Sequence, residues 1–246
     1  MGVKFSIITP CYNSRDTIAN TLESVLSQTI QDYEYLVIDG GSTDGTVEIL
    51  EEYEKKFHGK MKFWSEKDQG IYDAMNKGIK RADGDIIGII NSDDWYEKDA
   101  LENVLNSDTG EEYLVFHGLM RTIDAANGKE IRTAIYSADY LKEAMINHPT
   151  VFVKKEVYQK FGIFDCKYKY GADYDMMIRF YRSGQVCFLP IYKIIANFRT
   201  GGMSATVGAL KEAMEIKYRY GMMTKMQYAA AWIFLTGRRI FGYAIQ

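Results

Sequence analysis

The sequence predicts an α/β fold, with a mostly parallel, doubly wound sheet flanked by helices. Strand-like apolar segments alternate with helix-like segments through the first half of the chain. Polar clusters follow these strand-like segments directly, which is where open α/β sheets bind ligands. The 246 residues, 47% of them hydrophobic, suffice for one substantial core, whereas two independent domains are not expected.

The first half of the chain contains four strand-like segments with helices between them. Ser14 is a suitable N-cap for the first helix, and Val47, Leu50 and Tyr53 mark the second by their helical spacing. The third helix is predicted over Ile71–Arg81. The strands are expected at Lys4–Thr9, Tyr33–Asp39, Lys62–Ser65 and Ile86–Ile90.

The pattern changes after about residue 110. Two strands, Tyr113–Asp124 and Lys129–Ala134, are joined around an Asn127-Gly128 hairpin signal. The segments that follow are a helix at 138–145, an extended stretch at 148–153, helices at 155–161 and 173–183, and two helices after residue 205.

Charge and cysteine content exclude several classes of protein. A formal net charge of −3 provides no basic field for nucleic acid, so no nucleic-acid partner is expected. Cys11, Cys166 and Cys187 follow no zinc or disulfide pattern, which favours a reducing, cytoplasmic location. We find neither a secretory signal nor an apolar run long enough to span a bilayer.

Four polar residues, Asn91-Ser92-Asp93-Asp94, come directly after the fourth strand. Carboxylates at this point suit a hard cation, Mg²⁺ or Mn²⁺, shared with substrate phosphates. Taken alone, the same residues could instead cap a helix or form a turn.

A second polar cluster, Asp39–Thr46 (DGGSTDGT), follows the second strand. Its small residues let backbone N–H groups or a nucleoside approach closely, although a plain strand-to-helix turn would use the same glycines. The cluster lacks the G-x-G-x-x-G fingerprint, which argues against a Rossmann-type oxidoreductase.

Together with TPCYN at Thr9–Asn13, DQGIYDAMNKG at Asp68–Gly78 and Gly84-Asp85, these clusters resemble, in order and spacing, glycosyltransferase family 2. The resemblance continues through NHP, FGIFD, GADYD and GGMS and covers roughly residues 4–205. It implies the GT-A fold and an inverting enzyme. The implied domains are a catalytic domain at 1–204, with a nucleotide-sugar half at 1–110 and an acceptor half at 111–204, and a helical extension at 205–246.

The resemblance also implies the ligands and their residues. A nucleotide-sugar donor would bind with Mg²⁺ or Mn²⁺, the cation being held by Asp93 at the end of the family's D-x-D signature. The acceptor would be a glycan or a lipid-linked hydroxyl. The donor-binding residues carried over by position are Pro10, Tyr12, Asn13, Asp39, Asp68, Gly70, Asn76, Asn91, Ser92 and Arg199.

Asp173 matches the family's base, which takes the acceptor hydroxyl's proton, although an aspartate at a helix start could also serve as a cap. Asp175, two residues on, should face elsewhere. His148 could line the acceptor cleft or simply pack. The stretch Arg199–Ser204 could close over the donor diphosphate or be an ordinary loop.

Three positions depart from the family pattern. Asn91, Gly40 and Ala172 stand where the family commonly has Asp, Asp and Glu. The nucleobase is therefore not assigned. The departures at Asn91 and Gly40 also keep open a non-catalytic homologue that binds nucleotide sugars or glycans.

The C-terminal 205–246 extension combines aromatic and methionine side chains with basic ones. Such a composition favours peripheral contact with the cytoplasmic membrane face, where lipid-linked acceptors would be found. A homodimer contact and packing on the catalytic domain remain alternatives.

Overall fold

The computed structural model describes residues 4–202 and 206–241, with side chains described up to residue 236. The described residues form one nine-stranded sheet, in the order β3-β2-β1-β4-β8-β6-β9-β5, with β7 paired to β6. The strands are β1 Phe5–Cys11, β2 Tyr33–Asp39, β3 Met61–Ser65, β4 Ile86–Ile89, β5 Trp95–Tyr96, β6 Leu114–Ile123, β7 Glu130–Ala134, β8 Phe152–Lys154 and β9 Cys187–Arg199. The helices are α1 Ile18–Leu26, α2 Thr46–Lys56, α3 Ile71–Arg81, α4 Ala100–Asn106, α5 Lys155–Phe161, α6 Ala172–Arg182, α7 Val207–Arg219 and α8 Lys225–Phe241.

The sheet is parallel in its N-terminal half and mixed beyond it. β1 pairs in parallel with β2 and β4, and β2 pairs in parallel with β3, as the sequence predicts. β8 then runs antiparallel to both β4 and β6, whereas β9 runs parallel to β6. The expectation of a mostly parallel sheet therefore holds for β1 to β4, whereas the later part of the sheet is mixed: β9 is parallel to β6, and the other pairs there are antiparallel.

Two hydrophobic clusters cover the two faces of the sheet. Alternate β1 residues enter opposite clusters, Phe5 and Ile7 on one face and Ile8 on the other. The first cluster takes residues of α1, α2 and α4, and the second those of α3, α5, α6 and α7. α3 lies close against β1 because Gly78 has no side chain: a Cβ there would be 2.5 Å from Cγ2 of Ile8.

Three local predictions differ from the structure. Ser14 is not a side-chain cap, since α1 begins at Ile18 and the Ser14 hydroxyl lies 2.7 Å from that of Ser92. The segment predicted as a helix at 138–145 is a 3₁₀ helix over Ala138–Lys142. The stretch predicted as extended begins with a 3₁₀ turn, His148–Thr150, because Pro149 fixes its backbone angle at the first turn.

The C-terminal helices differ in how they pack. Ile216 of α7 is fully buried in the second cluster, and Tyr220 and Met222 pack against the same cluster. α8 lies on α7, where Tyr218 and Tyr228 stack with ring centroids 4.9 Å apart. α8 also carries four exposed apolar side chains, Met226, Trp232, Ile233 and Phe234. None of the helices in the described part of the chain is long and apolar enough to cross a membrane.

Candidate active site

Pro10 lies where β1 separates from β4 at the carboxyl edge of the sheet. The paired register of these strands ends at Ile8 and Ile89, and the last backbone hydrogen bond runs from the Ile90 N–H to the Ile8 carbonyl. The next donor from β1 toward β4 would be residue 10, and proline has no N–H. Pro10 itself is buried, so its contribution here is the missing backbone N–H, which ends the pairing of β1 with β4.

Asn13 ties the loop after β1 to the loop after β2. Its backbone N–H donates to the Ser42 hydroxyl (2.7 Å), and its side-chain oxygen accepts from the Thr43 N–H (3.0 Å). Its φ of 48° lies in the left-handed region, which asparagine tolerates better than most residues. Asn13 therefore holds the two loops in register, and its side-chain oxygen is already engaged.

Asp39 is held by hydrogen bonds from the loops around it. It is fully buried, and both carboxylate oxygens already accept hydrogen bonds from the protein. The Ser42 hydroxyl and the Cys11 thiol donate to Oδ1, and the backbone N–H groups of Gly41 and Ser42 and the Ser65 hydroxyl donate to Oδ2. Burial, with the nearby Asp39 charge, strongly raises the pKa of Cys11, so that thiol stays protonated as a donor. Asp39 therefore builds the turn after β2.

Tyr12, Gly40 and Asp68 together form an open recess. The Tyr12 ring is 63% exposed. A Cβ built on Gly40 would lie 2.6 Å from Oδ2 of Asp68 and 3.3 Å from Cδ2 of Tyr12. The Asp68 carboxylate thus occupies the space that a side chain at position 40 would need. The exposed Tyr12 side chain and the Asp68 carboxylate therefore meet over Gly40, where they offer a flat polar ring a stacking face and a hydrogen-bond acceptor.

Gly70 is the N-cap residue of α3, and Asp68 holds the Gly70 backbone in place. The Gly70 N–H donates to Oδ1 of Asp68 (2.9 Å), and its φ of 119° strongly favours glycine. Asn76, predicted to bind the donor, is instead buried. Its amide donates to the Phe164 carbonyl and the Cys166 sulfur, and its oxygen accepts from the Phe164 N–H. Its hydrogen-bonding groups therefore hold the 164–166 segment.

The loop Asn91–Asp94 carries two buried oxygens that accept no hydrogen bond from any described residue, Oδ1 of Asn91 and Oδ2 of Asp94. Burial raises the pKa of Asp93. Burial, followed by the charge of Asp93, raises the pKa of Asp94 well above its usual range. Two carboxyl groups and an amide oxygen thus lie together in a desolvated loop, where the Arg199 charge only partly offsets the effect of burial on the two pKa values.

Arg199, at the end of β9, closes one side of this loop. Its backbone N–H donates to Oδ1 of Asp94 (2.9 Å) and its Nε to the Asp93 carbonyl (3.1 Å). The guanidinium stacks over Trp95, with its carbon 5.2 Å from the ring centroid. A Cβ on Gly202 would lie 3.8 Å from Oδ2 of Asp93. The segment 199–202 therefore lies beside the acidic loop, whereas Met203 and Ser204 lie outside the described residues.

Asp173 lies in the first turn of α6 and is hydrogen-bonded to α3. The Tyr72 hydroxyl is 2.9 Å from Oδ1 of Asp173 and 2.7 Å from the Tyr170 carbonyl. Burial and the Asp173 charge strongly raise the pKa of Tyr72, so this hydroxyl stays a donor. The Tyr174 N–H also donates to Oδ1 of Asp173. Asp173 is half-buried, and no described residue is recorded as donating to its Oδ2.

Asp175 faces away from Asp173, as predicted. It is 1% exposed and pairs with Arg179 on its own helix and with Arg219 on α7. His148 is half-buried near Asp173, and its ring packs against Phe164 with centroids 6.1 Å apart. Burial lowers the pKa of His148, partly offset by the Asp173 charge, so its imidazole is neutral at physiological pH.

Contacts link these groups into one rim. The Ser92 and Ser14 hydroxyls are 2.7 Å apart, and Ser14 donates to the Tyr12 carbonyl. The Tyr12 ring adjoins Asp68, which binds the N–H of Gly70 just before α3. Tyr72 in the first turn of α3 then contacts Asp173 of α6. Sequence reasoning gave no role to Tyr72, although it lies inside the DQGIYDAMNKG motif.

The residues on this rim fit a cation that is shared with a ligand. No group of three or more His, Cys, Asp or Glu side chains within the described ranges could hold a metal ion by itself. Asp93 and the two unpartnered oxygens of Asn91 and Asp94 nevertheless form an oxygen-rich site. Mg²⁺ and Mn²⁺ commonly bind through one or two carboxylates, with substrate phosphates and water completing the ligand set.

Known proteins share the sequence pattern of this chain. The sequence model of "Glycosyl transferase family 2" matches residues 6–169. A PGL/p-HBAD biosynthesis glycosyltransferase of Mycobacterium tuberculosis is 28% identical over 213 residues, which cover 82% of this chain and 80% of that protein. Chondroitin synthase of Escherichia coli is 33% identical over 211 residues, which cover 83% of this chain but only 30% of the synthase.

Solved structures share the fold. S. aureus TarS 1-349 in complex with UDP-GlcNAc superposes with a TM-score of 0.71 at 20% identity, over 93% of this chain and 69% of that one. The mannosyltransferase PcManGT from Pyrobaculum calidifontis, in complex with GDP-Man and Mn²⁺, gives a TM-score of 0.67 at 16% identity, over 96% and 70%. The fold is that of the GT-A glycosyltransferases, and the chain belongs to glycosyltransferase family 2.

Proposed function

We propose that this glycosyltransferase moves a hexosyl or N-acetylhexosaminyl group from a nucleoside-diphosphate sugar to an acceptor hydroxyl, with inversion at the sugar. The observation that carries the proposal is the continuous rim of contacts from the acidic loop at Asp93, through Tyr12 and Asp68, to Asp173. One bound donor could touch all of these groups. A binding protein without catalysis would not need Asp173 on that rim.

The recess between Tyr12 and Asp68 is our proposed nucleobase site. The exposed Tyr12 ring offers a stacking face. The Asp68 carboxylate accepts hydrogen bonds and cannot donate them. It therefore favours a base with a ring N–H, such as uracil or guanine, and disfavours cytosine, whose ring nitrogen is an acceptor. Asp68 would thus replace the carboxylate that Gly40 lacks.

Asp93 would hold Mg²⁺ or Mn²⁺, with Asn91 and Asp94 supplying further oxygens nearby. When bound, the cation would neutralise the charge of the departing nucleoside diphosphate. Arg199 would place a guanidinium next to the same phosphates, because its Nε already reaches the Asp93 backbone. The use of a divalent cation with the donor is supported by PcManGT, a protein of the same fold that was solved in complex with GDP-Man and Mn²⁺.

Asp173 is our proposed base. Tyr72 and the Tyr174 N–H hold one carboxylate oxygen, so the other could accept the proton of the acceptor hydroxyl. The neutral His148 and the Phe164 ring beside it would line the acceptor position. The acceptor class we propose is a glycan or lipid-linked hydroxyl in cell-surface polysaccharide assembly. Its support is that relatives include a chondroitin synthase and a PGL/p-HBAD biosynthesis enzyme.

A thermal-shift panel of UDP-, GDP-, dTDP- and CMP-sugars, with and without Mn²⁺, tests the donor site. A ligand that binds only the native state raises its stability, by about 2.7 kcal/mol at 100 times its Kd. We expect Mn²⁺-dependent stabilisation by one of the first three donors and none by a CMP-sugar. Stabilisation by the CMP-sugar alone would overturn the role given to Asp68.

Two variants test whether Asp173 acts as the base and Asp93 as the metal ligand. Asp173→Asn should nearly abolish donor turnover, measured as nucleoside diphosphate release with water as acceptor, while donor affinity survives. Asp93→Ala should weaken Mn²⁺-dependent donor binding as well. Equal loss of donor binding in both variants would refute this assignment.

The exposed side chains Met226, Trp232 and Ile233 of α8 support a peripheral membrane contact or a homodimer through the extension. Lys211 lies over the Trp232 ring, 4.5 Å from its centroid, so basic and aromatic groups are adjacent. Flotation with vesicles containing anionic lipid would support the membrane contact. A mass of two chains in lipid-free solution would support the dimer.

A further inference from the structure

Glu212 of α7 binds the backbone of a loop far from it in sequence. Its carboxylate accepts from three consecutive N–H groups, those of Lys169 (2.9 Å), Tyr170 (2.7 Å) and Gly171 (2.9 Å). Gly171 is the N-cap residue of α6, and glycine has no side chain with which to cap the helix. Glu212 therefore takes the place of a local cap, and its negative charge suits the N-terminal end of the helix.

The contact between α7 and this loop is close. A Cβ on Gly171 would lie 2.8 Å from Cδ1 of Ile216, and a Cβ on Gly208 would lie 2.6 Å from the Tyr170 ring. Glycine at these two positions lets the backbones approach, so that a single carboxylate reaches three donors. A few residues further along α6, Asp175 anchors the same pair of helices by accepting from Arg219 (3.4 Å) and from the Tyr220 hydroxyl (3.1 Å).

The loop held by Glu212 leads directly to Asp173. The Tyr170 N–H donates to Glu212, and the Tyr170 carbonyl shares the single proton of the Tyr72 hydroxyl with Asp173. That same hydroxyl lies within hydrogen-bond distance of Oδ1 of Asp173. The orientation of Asp173 thus depends on a backbone segment fixed from two sides, by Tyr72 on α3 and by Glu212 on α7.

We propose that Glu212 is a positioning residue, which holds residues 169–171 so that the Asp173 carboxylate points at the acceptor hydroxyl. This inference rests on the proposed role of Asp173 as the base. It makes α7 a part of the catalytic unit, although α7 follows the family-matched region in sequence. Glu212 itself touches neither donor nor acceptor.

The test is Glu212→Gln, with Glu215→Gln as the matched control. Glu215 is exposed on the same helix, so the control makes the same change of charge away from the loop. A glutamine keeps one acceptor oxygen but turns an NH₂ group toward backbone donors, which displaces the loop. Misplacing a catalytic group by about 1 Å can cost 10²-fold, so we expect kcat to fall about 10- to 100-fold.

The assay measures nucleoside diphosphate release from the donor that the thermal-shift panel selects, with Mn²⁺ and with water as acceptor. We expect the donor KM of Glu212→Gln to stay within about twofold of that of Glu215→Gln, because the donor site does not include the loop. A kcat equal to the control's, or a loss confined to donor affinity, would overturn the inference. Should Glu212→Gln fail to fold, Glu212→Asp replaces it, with an intermediate kcat expected and a control-like kcat overturning the inference.

Asp173→Asn, measured alongside, distinguishes an error in the proposed base from an error in the positioning role of Glu212. If Asp173→Asn keeps the wild-type kcat, the proposed base is wrong. If it loses turnover while Glu212→Gln matches its control, the base stands and the positioning role is wrong.

Discussion

Replacing Asp94 by asparagine should stabilise the protein at neutral pH in the absence of metal. Asp94 is fully buried, and none of the described residues donates a hydrogen bond to its Oδ2. Its neighbour Asn91 also has an unpartnered buried oxygen. An asparagine at position 94 keeps an oxygen for the Arg199 N–H and removes the buried charge, and the Asn91 amide can turn its unpartnered oxygen toward the new NH₂ group.

The expected magnitude follows from the burial. Leaving a buried acceptor without a donor costs about 1–3 kcal/mol, and more for a charged group. A change of 1 kcal/mol shifts the Tm of a protein of this size by about 2–4 °C. We therefore expect the metal-free Asp94→Asn protein to melt about 2–12 °C above the wild type at pH 7.

The pH dependence has a definite sign. Burial raises the pKa of Asp94 in the folded state, so the native protein binds more protons than the unfolded chain above the carboxyl's ordinary value. The stability that Asp94 contributes is present below about pH 4 and is lost as pH rises through the raised pKa. The advantage of Asp94→Asn should therefore grow from pH 4 to pH 7.

Melting curves at several pH values, recorded with a chelator present, measure this effect. Asp99→Asn is the control, because Asp99 is exposed and its side chain makes no cap hydrogen bond. A surface change of this kind should alter the free energy of unfolding by no more than about 0.5 kcal/mol. An Asp94→Asn variant that melts at or below the wild type, with the same pH dependence, would refute the reasoning.

Three further variants or measurements test the rim. Tyr72→Phe removes the hydroxyl that donates a hydrogen bond to Asp173, so kcat should fall about tenfold. The affinity for the nucleotide-sugar donor, measured by calorimetry, should not change. An unaltered kcat would contradict the role given to this hydrogen bond. Gly40→Ala places a Cβ 2.6 Å from Oδ2 of Asp68, so the Asp68 carboxylate must move and donor binding should weaken about tenfold. An unchanged donor Kd would show that the recess is not the nucleobase site. His148 should titrate by NMR below its ordinary pKa because burial disfavours its charge, and a midpoint above about 6.5 would contradict its placement.

The sequence alone determined the parallel half of the sheet and the edge at which the site lies. Four apolar segments, each followed at once by polar residues, can form only a few sheets, and parallel strands bring their carboxyl ends to one edge. The helix bounds of α3 were predictable because its apolar residues recur with helical spacing after a glycine. These features depend on the spacing of apolar residues and on the order of segments along the chain, and both can be read directly from the sequence.

Only the tertiary structure decided what each polar side chain does at that edge. Asp39 and Asn76 have the residue types of ligand contacts, yet the structure uses their oxygens and amide to hold turns. Asp68 fills the space at Gly40, and Glu212 reaches residues 169–171 from a helix about forty positions away. Hydrogen-bond partners depend on distances between segments remote in the chain, and the spacing of residues within one motif carries no information about those distances.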